Sequence, residues 1–135
     1  MKSSIEIVHS MMDTDAFSSW LGIELLIIEK GRVCISCQVR EEMVNGFKIA
    51  HGGISFALGD SALAFAANSN GKHAVSIECN ISHLATVFVG DILTATAEEI
   101  KYGKQTATYI CSVRNQEDKL VAHLKGVFFV KENFW

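Results

Sequence analysis

Apolar residues recur at near-helical spacing from about Ser4 to Ser19, where Ile5, Val8, Met11, Met12 and Phe17 precede Gly22. This spacing predicts one helix, with the glycine as its stop. From Ile23 to Arg40 the pattern shortens to β-rich runs broken at Glu29-Lys30-Gly31-Arg32, and Val33, Ile35 and Cys37 alternate with other side chains. That is the pattern of a hairpin. After a loop through Asn45-Gly46, the segment from Gly53 to Ser69 is too long and too rich in Ala and Leu for a strand. It predicts a second helix, ended by Asn70-Gly71. Four strand-like stretches follow, at about 74–83, 91–102, 105–115 and 119–131. In the third, Ala107, Tyr109, Cys111 and Val113 alternate with polar residues, as in a sheet with one buried face. Short turns at Tyr102-Gly103-Lys104 and Gln116-Glu117-Asp118 predict antiparallel hairpins. The expected class is α+β: five to six antiparallel strands wrapped on a long central helix, with a helix at the N-terminus. A helix apolar on every side should be buried on every side.

Composition narrows the class without changing it. The 135 residues, 49% of them hydrophobic, fit one domain spanning residues 1–135. A formal net charge of −3 offers no general attraction for nucleic acid. The N-terminal MKSSIEIVHSMMDTD lacks the apolar core of a signal peptide, and no apolar run reaches the roughly 18 residues of a membrane span. A soluble cytoplasmic chain without membrane partners is expected. Cys34, Cys37, Cys79 and Cys111 are scattered through strand-like segments and read as reduced thiols. Cys34 and Cys37 match a CxxC spacing, but on a strand an odd offset points them to opposite faces, so no metal site is expected.

The candidate chemistry centres on Asp60. An ionised carboxylate in the middle of an apolar helix loses solvation and needs compensation, which a structural cap or a buried cation could supply. Its helical face also holds Gly53, Ala57, Ala64 and Ala67, small residues that could leave space for a ligand. Eight positions earlier, His51-Gly52-Gly53 opens the helix, so unpaired amides and the positive dipole end meet the loop mouth. Glycines allow close approach, and N–H donors aimed at a developing negative charge form an oxyanion hole.

These residues carry a resemblance. NGFKIAHGG, GDSALAFAANSNG, the Gly90-Asp91 pair and GKQT at Gly103 to Thr106 are similar to the phenylacetate-pathway (PaaI-type) hotdog thioesterases, over about residues 20 to 130. The resemblance implies hydrolysis of an aromatic, phenylacetyl-like or medium-chain acyl-CoA. Asp60 would act as nucleophile or as general base toward water, and the Gly52 N–H would hold the thioester oxygen. Asn45 would position substrate or water, His51 would shape the loop or hydrogen-bond near the thioester, and Gly53 would border the substrate. No cofactor is implied, coenzyme A being part of the substrate. Self-association is implied to a dimer, in which one subunit's carboxylate faces its partner's loop, and commonly to a tetramer. The family's Arg-Pro pair is replaced by Ala85-Thr86, which removes a phosphate partner and leaves Lys101, Lys104 and Lys125 as candidates. The competing reading is a non-catalytic hotdog module that binds acyl-CoA or an acyl carrier.

Overall fold

The computed structural model describes residues 1–135. Its elements run α1 (Ser4–Thr14), α2 (Ala16–Leu21), β1 (Glu24–Glu29), β2 (Arg32–Gln38), a 3-10 turn (Glu41–Met43), α3 (Gly52–Asn68), β3 (Lys72–His83), β4 (Ile92–Tyr102), β5 (Thr106–Arg114) and β6 (Leu120–Phe134). The single N-terminal helix expected over Ser4 to Ser19 is two helices. At Asp15 the backbone leaves the helical region, and its carboxylate accepts hydrogen bonds from the Ser18 N–H at 2.9 Å and the Ser18 hydroxyl at 2.7 Å. A short acidic side chain that can bond the backbone ahead of it restarts the helix in a new direction.

Six antiparallel strands pair in the order β1-β2-β4-β5-β6-β3. The sheet's inner face carries Val33, Ile35, Leu93, Ala95, Tyr109, Cys111, Leu124 and Phe128, all buried in one cluster with Leu58, Ala62, Leu63 and Phe65 of α3. The alternation read in β5 therefore holds, with the four apolar residues inward. This is the hotdog arrangement: a long helix held in the curl of an antiparallel sheet. Strand β6 approaches α3 so closely that a Cβ on Gly59 would stand 2.6 and 2.7 Å from the two methyls of Leu124. Gly59→Ala is therefore expected to push helix and sheet apart and cost about 1–3 kcal/mol, measured by urea unfolding.

One expectation is corrected. Helix α3 is not buried on all sides, because a sheet wraps only part of a helix's circumference. Gly53 is exposed, and Phe56, Ala57, Asp60, Ser61 and Ala64 lie half-open along one face. Ala67, grouped with that face by its angle, is instead fully buried near the helix end. Helix α2 reaches the stripe through a 2.9 Å hydrogen bond between the hydroxyls of Ser18 and Ser61. The helix also stops before Asn70-Gly71. Ser69 is its cap residue, and the Asn68 side chain bonds Ala64, Ala74 and the Trp135 indole.

Candidate active site

The loop ahead of α3 is pinned from both sides. His51 donates its backbone N–H to Met43 at 2.8 Å, Ala50 donates to Val87 at 2.9 Å, and Val44 bridges to Ala50. Inside this bridge the Asn45 N–H bonds the Ile49 carbonyl, and the Asn45 side-chain oxygen accepts the Phe47 N–H at 2.9 Å. The side-chain NH2 of Asn45 remains available to the neighbouring cavity.

His51 is the N-cap of α3. Its Nδ1 accepts the Gly53 N–H at 2.9 Å, and its carbonyl accepts the Ile54 N–H. The cap thus takes the second amide of the helix and leaves the first. The Gly52 N–H donates to no group of the chain, as an oxyanion donor must before substrate arrives. His51 is so placed as a loop-shaping residue. A Cβ on Gly53 would meet its Nδ1 at 3.0 Å.

A cavity of about 390 Å³ borders Asn45, Ile49, Ala50, Gly52, Ser55 and the connection from His83 to Val87. Ala85 and Thr86 are part of this wall, and no Lys or Arg stands in it. Sequence reasoning did not single out Ser55 or His83. His83 reaches the loop from the far end of β3, 31 residues after Gly52, and nothing local announces that contact. On the other side of the loop, Phe17, Trp20, Met43, Val44 and Ile54, with Glu42, His51 and Gly53, line a more apolar, open recess of about 310 Å³.

Asp60 lies on the half-open face of α3. No side chain or backbone group of the chain hydrogen-bonds or ion-pairs its carboxylate, so neither a structural cap nor a buried cation compensates it. Burial holds its pKa above the usual carboxylate range, and the negative charge of Asp15 at the start of α2 adds to the rise. The nearby Cys79 thiol is pushed up by burial and then by Asp60, and burial, partly offset by the Arg40 charge, lifts Cys37 to about 11. Both thiols stay protonated at neutral pH, which leaves them poor nucleophiles.

Distance divides the candidate residues. Eight residues of α-helix rise about 12 Å, so Asp60 cannot reach a carbonyl carbon held at the Gly52 amide of its own chain. The structure gathers Asn45, His51, Gly52 and Gly53 at one end of α3 and leaves Asp60 two turns away. Nor does it bring the three lysines to this loop. Lys125 alternates with the inward Leu124 and pairs with Ile110 and Asn80, so it lies on the outer face of the sheet, with Lys101 on the same side opposite Thr108. Lys104 stands in the β4–β5 turn.

Residues 47–122 match the family model of the thioesterase superfamily. The acyl-coenzyme A thioesterase PaaI of Escherichia coli strain K12 is 41% identical over 118 residues, 87% of this chain and 84% of that protein. The solved structure of E. coli PaaI, from the phenylacetic acid degradation operon, superposes with a TM-score of 0.95 at 37% identity, covering 97% of this chain and 95% of the other. A hypothetical thioesterase from Streptococcus pneumoniae TIGR4, solved with coenzyme A, superposes at 0.87 with 25% identity over 93% and 98% of the two chains. The chain belongs to the thioesterase superfamily, in the hotdog fold, and is a thioester hydrolase. Its resemblance to the PaaI-type enzymes is borne out.

Proposed function

We propose that this chain hydrolyses acyl-CoA thioesters as a dimer, each site formed by Asn45 and Gly52 of one subunit and Asp60 of the other. The observation that carries this reading is the pairing of an uncompensated carboxylate with an unpartnered amide on one helix, about 12 Å apart. Two such helices related by a two-fold axis, running in opposite directions, would set each carboxylate against the other's amide. Strand β3 supports the assembly. It is a 12-residue edge strand with unpaired backbone groups, and Val75 and Ile77 are 44% and 60% exposed. Such an edge invites pairing with a second copy, and the cavity beside Gly52 opens at its C-terminal end.

In the reaction, the thioester oxygen accepts the Gly52 N–H, which stabilises the negative charge that develops as the carbonyl carbon is attacked. Asp60 attacks directly, forming an acyl anhydride and releasing the CoA thiolate before water cleaves the anhydride, or it takes a proton from the attacking water. Label found in the Asp60 carboxylate after single turnover in H2(18)O would establish the anhydride, since the water route puts label only in the released acid. The loop takes the acyl group toward the recess beside Phe17 and Trp20, whose size and apolar lining suit an aromatic or medium-chain acyl group. The E. coli PaaI structure, from the phenylacetic acid degradation operon, supports an aromatic acyl group.

The test is steady-state hydrolysis of a panel of acyl-CoAs, from acetyl through medium-chain to phenylacetyl, followed by thiol release. The expected result is turnover with the highest kcat/KM for the phenylacetyl or medium-chain substrates. Saturable binding without turnover across the panel would replace the hydrolase reading with that of an acyl-CoA binding module.

A further inference from the structure

His83 is the one ionisable side chain in the cavity wall beside the loop. A Cβ placed on Gly52 would stand 3.1 Å from the His83 Nε2 and 3.2 Å from its Cε1, against 3.9 Å from Cδ2. The ring therefore turns its Nε2 edge toward Gly52. Neither ring nitrogen bonds any group of the chain, and the side chain is exposed to the cavity. A Cβ stands about 2.5 Å from its own backbone nitrogen, so Nε2 lies no more than about 5.6 Å from the Gly52 nitrogen. Two donors that each hold one oxygen at about 2.9 Å stand at most about 5.8 Å apart. The separation is short enough for one acceptor oxygen to reach both, seated on the N–H side of Gly52.

We propose that His83 is a second donor to the thioester oxygen, its Nε2–H converging with the Gly52 N–H on the oxygen that becomes negative during attack. This rests on the hydrolase reading above and adds a catalytic residue to it. When the Asp60 carboxylate or its water attacks the carbonyl carbon, the carbonyl π electrons move to the oxygen, where both donors stabilise them. Collapse restores the double bond, and the sulfur leaves with the carbon–sulfur bonding pair. His83 holds its proton throughout. The placement also accounts for the glycine at position 52, since a Cβ there would crowd the His83 ring at 3.1 Å.

Two variants and two unreactive ligands test this. His83→Phe keeps a flat ring and removes the donor, while His83→Gln keeps an N–H. Since the side chain is exposed, both should fold, checked by unchanged melting temperature. His83→Phe is expected to lower kcat/KM about 10- to 100-fold, chiefly through kcat, with partial recovery in His83→Gln. The ligands are an acyl-CoA ketone, in which CH2 replaces sulfur and the oxygen remains, and the matching thioether, which lacks the oxygen. His83→Phe should weaken binding of the ketone severalfold and leave the thioether unchanged. Equal weakening of both would make His83 a contact to the coenzyme A arm, and no change in either would remove it from the site. Both results overturn the proposal. A wild-type chain that binds both ligands but turns over no thioester would instead overturn the hydrolase reading, while the comparison of the two ligands still reads the His83 contact.

Discussion

Asp60→Asn is expected to lower kcat/KM for acyl-CoA hydrolysis by about 10³- to 10⁴-fold, since amide nitrogen neither attacks the thioester nor takes a proton from water. The same substitution should make the protein more resistant to heat at pH 7 to 8. Burial, reinforced by Asp15, raises the Asp60 pKa in the folded chain above its unfolded value. The folded state therefore holds the Asp60 proton more tightly than the unfolded state does. The resulting stability is fully present below the unfolded pKa and is lost as pH rises through the folded one. At neutral pH the ionised carboxylate sits where the fold disfavours it, and asparagine relieves that strain. Melting curves of the two proteins should separate at pH 8 and converge as pH falls below the carboxylate range. The acid limb of kcat/KM in the wild type should lie above the pH of an ordinary carboxylate. An Asp60→Asn protein that is inactive but less stable at pH 8 would mean that the carboxylate supports the fold, and the site would have to be sought elsewhere.

Mixing two inactive variants should restore activity. Asp60→Ala removes the carboxylate and Asn45→Ala disturbs the loop, so each homodimer has two defective sites. In a heterodimer, the loop of the Asp60→Ala subunit meets the intact Asp60 of the other, which makes one complete site and one doubly broken one. Random reassortment yields about half heterodimers, each with half the normal sites, so recovery of about a quarter of wild-type activity is expected after unfolding and co-refolding. Separately tagged subunits isolate the heterodimer, whose activity should approach half that of the wild type. No recovery in a purified heterodimer would show that carboxylate and loop act within one chain, against the roughly 12 Å that the helix puts between them.

The stability expected of Asp60→Asn and the rescue expected on mixing share one cause. A carboxylate without a partner in its own chain is an expense of the isolated fold, and it becomes useful only where a substrate and a second loop meet it. The absence of any Lys or Arg from the cavity wall, with Ala85 and Thr86 in its place, means that the wall beside the loop gives the CoA phosphates no permanent cation. Those phosphates must find their counter-charges outside it.

Patterning alone made much of this legible. The period-two alternation of Ala107, Tyr109, Cys111 and Val113 identified the buried face of β5, because a pleated strand sends successive side chains to opposite sides. The length and composition of 53–69 identified the central helix, and the aspartate within it stood out because an apolar helix gives a charge no solvation. Local spacing also placed the glycine pair at the helix start, where free amides must occur. Other features depended on contacts that no window of sequence contains. The break at Asp15 follows from bonds its carboxylate makes to Ser18, and the half-open face of α3 follows from how far the sheet curls round it. His83 meets Gly52 only because β3 runs back along α3. By itself the sequence determined which residues stand out as candidates, Asp60 and the glycine pair among them, since residue type and local period suffice for that. Only the tertiary structure decided which distant segments meet at the loop: it brought His83 to Gly52 and left the three lysines away from it, because contacts across a fold are set by packing rather than by position along the chain.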